Sequence, residues 1–429
     1  MVICVKKKVE EVYIFNPAND LALATGGINY VAPPFAVRMA ADLAVLPAFI
    51  AEPGSLVITD SDDDAHWLEH LNELFGLDVH AVKRSELRSL DDCSIRPWGW
   101  CLDLRRRLVK WGVNRECLPT KDEIYHLRGL SHRRISVLMH LRLQELLGEG
   151  HTPQSVRYAS IIEGGLGTSN TVKNLCPAPV ELAVTDEVLD FVRRHRDCYI
   201  KTPWSSSGRG IYHTTGGVTP ELEQWCRGAL KRQGSVLCEL ALDKVMDFAV
   251  EFVAENGCVQ MRGLSIFFTD SHSQYRHGLV AQEEMLKSRI TELYPNIDEV
   301  VAAVTQALNE MVAPHYSGWL GVDMLLYNNV KSRKHNAQSG TDNSINVNPC
   351  VELNLRPTMG AVTAMLGERL LAPGKTAIFA IEQRSSYSEP WQTECDAVVK
   401  DGRLCSGTLC LTTPSDTAHY RAVLTVERD

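Results

Sequence analysis

Apolar and polar positions follow two different periods along the first 130 residues of the chain. Val12 to Phe15 is an apolar run that passes into the turn-forming residues Asn16 to Asp20, and Ser55 to Thr59 is a second such run. In residues 67–75 the apolar side chains instead recur every three or four positions, which is typical of a helix with one buried face. Strand, polar loop and helix in succession are typical of an α/β layer. We therefore predict an α/β domain over residues 1–130.

The middle of the chain begins with a helical pattern and continues mainly with strand patterns. Apolar residues between Ile135 and Leu147 recur at helical spacing, with Ser131 as a candidate N-cap and Gly148 as a natural stop. The alternating segment 248–253 is followed by Asn-Gly, which predicts a β-hairpin. Further strands are predicted at residues 198–201, 235–239, 258–261, 318–326 and 347–353, and further helices around residues 185–192 and 300–312.

Two later segments differ from this pattern. Residues 328–348 are polar and lie between two predicted strands, which indicates a long surface insertion. Residues 386–429 contain short alternating valine and leucine patterns, which indicate a small β appendage. We therefore predict an N-terminal domain at 1–130, a central domain at 131–385 and a C-terminal appendage at 386–429.

Charge and hydropathy exclude two classes of partner. The chain has 44 lysines and arginines against 53 aspartates and glutamates, a formal net charge of -9. Because nucleic-acid binding needs a basic surface to neutralise phosphates, this balance argues against a nucleic-acid partner. The basic run at residues 105–107 is more typical of a solvated helix face. No apolar stretch reaches the ~20 residues of a membrane span, so we expect no membrane partner.

The N-terminus and the cysteines predict a cellular location. The lysines at positions 6–8 follow the short apolar start instead of preceding it, which is not the pattern of a signal peptide. The thirteen cysteines are scattered, and none forms a C-x-x-C pair of the zinc or redox type. We therefore predict reduced thiols and a cytoplasmic protein.

The most distinctive local sequence follows a short predicted strand that ends in Lys201. Glycine lets the backbone approach a phosphate closely, serine hydroxyls add donors, and lysine supplies a compact positive charge. The segment is not a P-loop, since G-x-x-x-x-G-K-[ST] is absent. It indicates a phosphate-binding loop, with an ordinary hairpin loop as the alternative. After Lys201-Thr-Pro-Trp the loop residues are Ser205, Ser206, Ser207, Gly208, Arg209 and Gly210.

A second polar group lies on a predicted strand near residue 350. Glu352, Asn354 and Arg356 share one strand face, because side chains alternate with a period of two. Carboxylate and amide oxygens suit Mg²⁺, and arginine suits an anionic or phosphoryl group. Asp323, between apolar residues of the preceding strand, would complete a metal site. The alternative is a face that is simply solvated.

Two weaker signals complete the set. The segment Glu239, Leu240, Ala241, Leu242 can present backbone groups to an adenine, and Asp247 can bind ribose hydroxyls. Residues 66–70 match the zinc-peptidase pattern H-x-x-E-H. The pattern is short, and we favour an amphipathic helix as the explanation of that second segment, because its apolar residues recur at helical spacing.

In their order along the chain, these parts resemble the ATP-grasp superfamily over residues 131–380. The shared order is a lysine with a Ser/Gly loop, then Val-Leu-Cys-Glu, Gly-Val-Asp and Glu-x-Asn-x-Arg-Pro. The resemblance implies a pre-ATP-grasp α/β domain followed by a two-lobed ATP-grasp domain with mostly antiparallel sheets. The lobe that covers the nucleotide would span about residues 180–255, and the metal-binding lobe about residues 256–385.

The resemblance also implies where ATP binds. Lys201 and loop 205–210 would contact the phosphates, Glu239 to Leu242 the adenine, and Asp247 the ribose. The family often carries an earlier phosphate-binding lysine, where this chain reads Ser-His-Arg-Arg at residues 131–134. Arginine and lysine are not interchangeable, so the sequence leaves that contact open.

The resemblance further implies the metal site and the reaction. Asp323, Glu352 and Asn354 would bind one or two Mg²⁺ ions, for which Mn²⁺ can substitute, and Lys201 and Arg356 would be catalytic. The implied enzyme activates a small-molecule carboxylate as an acyl phosphate for attack by an amine and releases ADP and phosphate. A small-molecule kinase and a nucleotide-binding protein without turnover are the alternatives.

The sequence leaves the substrates unidentified. Arg276 and His277 lie in a polar segment after a predicted strand, where the arginine can hold a carboxylate. Asn16 and Asn19 of the first domain are candidates to face the same cleft. A homodimer is compatible with the resemblance.

Overall fold

The N-terminal part of the protein is a parallel sheet with helices between its strands. The computed structural model describes residues 10–90, 92–148, 176–205, 210–270, 273–328, 345–386, 388–391 and 393–427. The first elements are β1 (Glu10–Ile14), α1 (Asn19–Thr25), α2 (Pro34–Asp42), β2 (Ser55–Ile58), α3 (Asp62–Phe75), β3 (Val79–Val82), β4 (Cys93–Pro97), α4 (Leu102–Lys110) and α5 (Lys121–Leu130), with short 3-10 helices at Leu46–Phe49, Leu87–Ser89 and Arg115–Cys117. The strand order is β3-β2-β1-β4 and all pairs are parallel, which confirms the predicted α/β layer.

Helix α3 shows how the sequence sets element boundaries. Ser61 caps its N-terminus by accepting a hydrogen bond from the Asp64 amide, and Gly76 ends it with a φ of 66°, a conformation that favours glycine. His66 and His70 lie in this helix. Within the described ranges no group of three His, Cys, Asp or Glu side chains can hold a metal ion, so the zinc interpretation gains no support.

The next part carries a smaller sheet. Its elements are α6 (Arg134–Leu147), β5 (Val180–Leu182), α7 (Thr185–His195), β6 (Cys198–Lys201), β7 (Ile211–Thr214), α8 (Pro220–Gln233) and β8 (Val236–Leu240). The strands pair antiparallel in the order β5-β8-β6-β7, around a core that includes Val188, Ile200 and Leu222. The predicted N-cap of α6 is wrong. The Ser131 hydroxyl donates to the Leu127 carbonyl oxygen and closes α5 instead.

Most of the remaining chain forms one eight-stranded sheet. Its elements are β9 (Asp243–Glu255), β10 (Cys258–Thr269), β11 (Tyr275–Val280), α9 (Glu283–Leu293), α10 (Ile297–Met311), β12 (Gly318–Asn328), β13 (Ile345–Asn354), α11 (Met359–Arg369), β14 (Ala377–Gln383), β15 (Val398–Lys400), β16 (Arg403–Ser406), β17 (Thr408–Cys410) and β18 (Tyr420–Val426). The order is β13-β12-β9-β10-β11-β14-β18-β17, with antiparallel neighbours throughout. Asn256 and Gly257, both with positive φ, form the predicted hairpin turn between β9 and β10.

The strands beside the predicted insertion are longer than their sequences indicate. β12 runs to Asn328 and β13 begins at Ile345, and these two residues are opposite each other in the sheet. Both ends of the predicted 328–348 insertion therefore belong to strands. Residues 329–344 lie outside the described residues.

The C-terminal segment pairs with a strand of the central part through its strand β18. β14 pairs with β18, and β18 with β17, so this segment extends the central sheet, while β15 and β16 form a two-stranded sheet of their own. Leu409 and Leu424 share one buried core with Leu43 and Phe49 of the N-terminal part. The alternating pattern identifies strands but not the strands they pair with. The domain limits at residues 130 and 385 stay predictions.

The cysteines contain one pair that the sequence does not reveal. Cys395 and Cys410 form a disulfide, with Cα atoms 5.9 Å apart, so the expectation that all thiols are reduced is wrong. Their spacing matches no short cysteine motif. The pair forms because the fold places Cys395, in a loop, next to Cys410 at the end of β17. The other cysteines of the described residues are free, and most are buried. In the same residues no helix is long and apolar enough to cross a membrane.

Candidate active site

Lys201 stands at the end of β6, where the sequence predicts a phosphate contact. Its ammonium group forms an ion pair with the Glu239 carboxylate on the neighbouring strand β8, and both side chains are largely buried. The sequence assigns the two residues to different parts of ATP. The structure brings them into direct contact, so Glu239 fixes the lysine at the strand end.

The loop after Lys201 is packed tightly where it is described. The Thr202 amide donates to the Gly210 carbonyl oxygen at 2.8 Å. A Cβ atom at Gly210 would lie 2.2 Å from the Thr202 hydroxyl oxygen and 2.4 Å from Ser205 Cβ, so only glycine fits there. The predicted contacts Ser206, Ser207, Gly208 and Arg209 lie outside the described residues.

Arg133 connects this loop to the strand predicted to bind metal. It lies just before α6 and is buried, and one of its terminal nitrogens donates to the Thr202 carbonyl oxygen and to the Ser205 hydroxyl, each at 2.7 Å. The other terminal nitrogen donates to Glu352 Oε1 at 2.8 Å. Arg134 instead binds Glu181, at 2.7 and 3.0 Å. Of the two arginines that the sequence leaves open, Arg133 is the one in the site.

The three predicted metal ligands meet on β12 and β13. Asp323 is opposite Glu352 in the register of the two strands, and Asn354 is opposite Gly321. The Asn354 amide nitrogen donates to Asp323 Oδ2 at 3.2 Å. The strand period of two therefore places the three side chains together, as predicted, while their role as ligands stays a prediction.

The two carboxyl groups of this set are in different electrostatic states. Burial, and then the neighbouring charge of Glu352, raise the pKa of Asp323 to about 7. Burial also acts to raise the pKa of Glu352, but the charges of Arg133, Lys201 and Arg356 outweigh it and hold this pKa below its ordinary value. Glu352 is therefore ionised at neutral pH, while Asp323 holds a proton part of the time. A bound cation would favour its release.

This donor set fits magnesium held together with a nucleotide. Mg²⁺ prefers oxygen ligands and is usually bound by one or two carboxylates plus phosphates and water. Asp323 and Glu352 supply two carboxylates and Asn354 an amide oxygen.

Arg356 lies two residues beyond the end of β13, and all three of its side-chain nitrogens donate hydrogen bonds. Its Nε donates to Asp20 Oδ2 at 2.9 Å, and its terminal nitrogens donate to Asn354 Oδ1 and to the Pro357 carbonyl oxygen, each at 3.1 Å. The sequence misses Asp20, although it directly follows Asn19 in the conspicuous Asn-Pro-Ala-Asn-Asp turn. Burial raises the pKa of Asp20, and the charge of Arg356 opposes that rise.

A cleft opens between the N-terminal part, loop 203–205 and the end of β13. Its empty space, which includes open solvent at the mouth, is about 420 Å³. Asn19 and Asp20 of the N-terminal part and Glu352 and Asn354 of β13 are among its lining residues. The remaining lining residues are Leu23, Trp100, Leu127, Ser131, Pro203, Trp204, Ser205, Leu353 and Leu355.

Asn16 does not line the cleft, although the sequence proposes it together with Asn19. Its amide nitrogen donates to the Gly99 carbonyl oxygen at 2.7 Å, and its amide oxygen accepts from the Gly99 amide at 3.2 Å. Both ends of the side chain thus hold the loop after β4. A role of Asn16 toward the substrate stays a prediction.

The other predicted contacts lie away from the cleft lining. Asp247 Oδ2 on β9 accepts from the Lys244 ammonium at 2.7 Å and from the Thr269 hydroxyl at 3.1 Å. Arg276 and His277 are on β11, where the His277 ring stacks on another aromatic ring of β10 with 4.6 Å between centroids. Leu240 ends β8, and Ala241 and Leu242 connect it to β9. None of these residues lines the cleft, and their roles stay predictions.

Comparison with known proteins gives a likeness in structure alone. No protein-family model and no curated protein matches the sequence. Among solved structures, biotin carboxylase from Campylobacter jejuni has 10% identity, covers 98% of this chain and 88% of its own, and gives a TM-score of 0.50. Phosphoribosylamine–glycine ligase from Thermotoga maritima also has 10% identity, with 98% and 92% coverage and a TM-score of 0.48. At such identities a likeness shows the fold only, and we base it on the biotin carboxylase.

Proposed function

Because the chain has the ATP-grasp fold, as its motif order predicts, we propose that it is an ATP-dependent carboxylate–amine ligase. The observation that carries the proposal is that Glu352 and Asn354 line one cleft and that Arg133 and Arg356 donate hydrogen bonds to them. Cations and oxygen ligands in one buried place suit phosphoryl transfer, which depends on positioning and on charge neutralisation. No protein nucleophile is required.

We assign the nucleotide to the gap between the two sheets. Lys201, Arg133 and Ser205 would contact the phosphates, Glu239 to Leu242 the adenine, and Asp247 the ribose. The similar biotin carboxylase structure is a β-γ-ATP complex, which supports a nucleotide as the ligand of this fold. Arg133 would supply the early phosphate contact that the sequence leaves open, because it already links Ser205 to Glu352.

Asp323, Glu352 and Asn354 would hold one or two Mg²⁺ ions. The metal, for which Mn²⁺ can substitute, supplies positive charge next to the phosphates. The protein residues around it have separate tasks. Arg133 ties the metal strand to the phosphate loop, and Arg356 neutralises charge on the group in transfer.

The proposed reaction has two steps. A carboxylate oxygen of the substrate attacks the γ-phosphorus of ATP, the bond to the β-phosphate oxygen breaks, and ADP leaves. The amine nitrogen then attacks the carbonyl carbon of the acyl phosphate, phosphate leaves with the electron pair of the C–O bond, and the nitrogen loses a proton. The cleft between Asn19 and Glu352 is the proposed place for these substrates. A cytoplasmic location and a homodimer stay predictions.

Trapping with hydroxylamine tests the reaction without knowledge of the amine. We expect the correct acid, offered in pools of amino acids and organic acids, to give a hydroxamate and ADP when hydroxylamine replaces the amine. Arg356→Ala should lower the rate far more than it weakens ATP binding, because its charge is assigned to the transferring group. Reactions without ATP are the control.

The alternatives give different products in the same assay. A kinase acting on a hydroxyl group would release ADP and give a stable phosphate ester with no hydroxamate. A protein that binds nucleotide without turnover would give neither product. Either result, after a complete set of acids, would replace the ligase proposal.

A further inference from the structure

A continuous chain of side-chain hydrogen bonds joins the N-terminal part to the proposed metal strand. The Asn19 amide nitrogen donates to Asp20 Oδ1 at 2.9 Å, and Arg356 Nε donates to Asp20 Oδ2 at 2.9 Å. Arg356 then donates to Asn354 Oδ1 at 3.1 Å, and Asn354 donates to Asp323 Oδ2 at 3.2 Å. Asp20 is the link between the two parts of the protein.

The N-terminal end of this chain is held rigidly. A Cβ atom at Gly99 would lie 2.1 Å from the Asn19 amide nitrogen, so Asn19 packs directly against the glycine backbone. Asn16 holds the same glycine through its side-chain amide, whose nitrogen donates to the Gly99 carbonyl oxygen and whose oxygen accepts from the Gly99 amide. Asn19 itself is buried. Asp20 is therefore oriented by a neighbour that has little freedom to move.

Donor and acceptor chemistry then fixes the direction of each later bond. A guanidinium group only donates, so the atom of Asn354 that faces Arg356 is the amide oxygen. The amide nitrogen of Asn354 consequently faces the Asp323 carboxylate. Both carboxyl oxygens of Asp20 accept bonds in this chain, and an ion pair of this kind holds a planar guanidinium in one orientation.

We propose that Asp20 is a positioning residue for the ligase reaction. It holds the Arg356 guanidinium, and through it the Asn354 amide, in the orientation that phosphoryl transfer uses. Asp20 influences the reaction through Arg356 and does not contact the reacting atoms. The effect of Asp20 on the reaction rests on the proposed function. The orientation of Arg356 by Asp20 rests on the hydrogen bonds alone.

Kinetics of Asp20 variants are the first part of the test. We expect Asp20→Ala to lower kcat about 100-fold, the scale of a misplaced catalytic group. The KM for ATP should change by less than about 3-fold, because the bonds to Arg133 and Lys201 are untouched. Asp20→Asn should have an activity between those of the wild type and Asp20→Ala, because its amide oxygen can still accept from Arg356 Nε but its amide nitrogen cannot accept from Asn19. Glu11→Gln is the matched control, because Glu11 also pairs with an arginine of the N-terminal sheet but lies outside the cleft lining.

A double-mutant cycle separates the positioning of Arg356 from a general stabilisation of the contact between the N-terminal part and the rest of the protein. In an Arg356→Ala background, Asp20→Ala should change kcat by less than about 2-fold, because the group that Asp20 orients is gone. If Asp20 only stabilised the fold, Asp20→Ala would lower kcat by the same factor in both backgrounds. Equal factors would overturn the proposal.

A spectroscopic measurement keeps the test independent of turnover. In protein labelled with ¹⁵N at arginine Nε, the Arg356 Nε–H signal, assigned with Arg356→Lys, should be protected from exchange and lose that protection in Asp20→Ala. If no acid supports ADP release, the proposed function fails and this signal still decides the positioning. An Arg356 signal that is unchanged in Asp20→Ala would refute it even in an active enzyme.

Discussion

Glu251 allows a test of the site environment that needs no substrate. Glu251 lies on β9 and is 1% exposed, and its carboxyl group packs against two glycines of neighbouring elements. A Cβ atom at Gly321 would lie 2.7 Å from one carboxyl oxygen, and a Cβ atom at Gly360 would lie 2.0 Å from the other. Burial, and then the charge of Asp323, raise the pKa of Glu251 to about 8. The carboxyl group therefore holds its proton at neutral pH.

The raised pKa links the stability of the fold to pH. An acid with a higher pKa in the folded than in the unfolded state binds its proton more tightly when folded, so its contribution is present at low pH. It is lost as the pH rises from the ordinary value of the carboxyl group to about 8. Each pH unit well inside that window costs about 1.4 kcal/mol, and the slope falls as folded Glu251 itself ionises near pH 8, so the loss from pH 6 to pH 8 is about 2.3 kcal/mol. For a chain of 429 residues, this corresponds to about 3 °C in Tm.

The substitution Glu251→Gln keeps the shape and removes the ionisation. We expect the Tm of this variant, relative to the wild type, to rise by about 3 °C between pH 6 and pH 8 and to level off above that. Its amide nitrogen adds a penalty of about 1–3 kcal/mol for an unpaired donor, but that penalty is the same at every pH. Scanning calorimetry from pH 6 to pH 9 measures the difference.

Glu11→Gln is the matched control for the loss of one carboxylate. Glu11 pairs with Arg96 at a partly exposed site, so the Tm difference of this variant from the wild type should be constant over the pH range. If Glu251→Gln also shows a constant difference, Glu251 does not hold a proton in the folded protein. The buried electrostatics described for this part of the sheet would then be wrong.

Two further predictions test nucleotide binding by calorimetry. Lys201→Met should lose affinity for Mg-ATP, and Glu352→Gln should bind ATP equally with and without Mg²⁺. Removal of Mg²⁺ from the wild type with a chelator should lower its ATP affinity to that of Glu352→Gln. If both variants bind Mg-ATP like the wild type, the site is misassigned. Arg133→Ala should weaken Mg-ATP binding about 10-fold or more, since a single charge-assisted contact contributes at least ~1.4 kcal/mol. Arg134→Ala is the control and should change the affinity little, because Arg134 binds Glu181, which lies outside the cleft lining. Equal effects of the two arginine variants would contradict the placement of Arg133.

Local strand geometry made part of the site predictable from sequence. Glu352 and Asn354 share a face because strand side chains alternate, and Asp323 joins them because the preceding strand pairs antiparallel with theirs. The phosphate loop is signalled in the same local way by a strand that ends in Lys201 and by its glycines. The Asn-Gly turn between β9 and β10 is another local signal.

The rest of the site depends on contacts that no local pattern encodes. Asp20 and Arg356 are 336 positions apart, and only the folded chain shows that they pair. Arg133 and Arg134 are neighbours in sequence, and only the folded chain shows that Arg133 binds Glu352 while Arg134 binds Glu181. Ser131 was wrong as an N-cap because a serine hydroxyl can also bond back to a carbonyl four residues earlier. In the same way, alternation reveals the C-terminal strands but not their partner strands.

The core shared by the first and last parts of the chain has a consequence for synthesis on the ribosome. Leu43 and Phe49 pack in the same cluster as Leu409 and Leu424, which are translated last among these residues. At about 5–20 residues per second, the early apolar surface waits on the order of tens of seconds for its cover. During that time it is exposed to other nascent chains and to chaperones. A fragment that contains only the N-terminal part would keep this surface uncovered, so attempts to produce that part alone should yield aggregated protein.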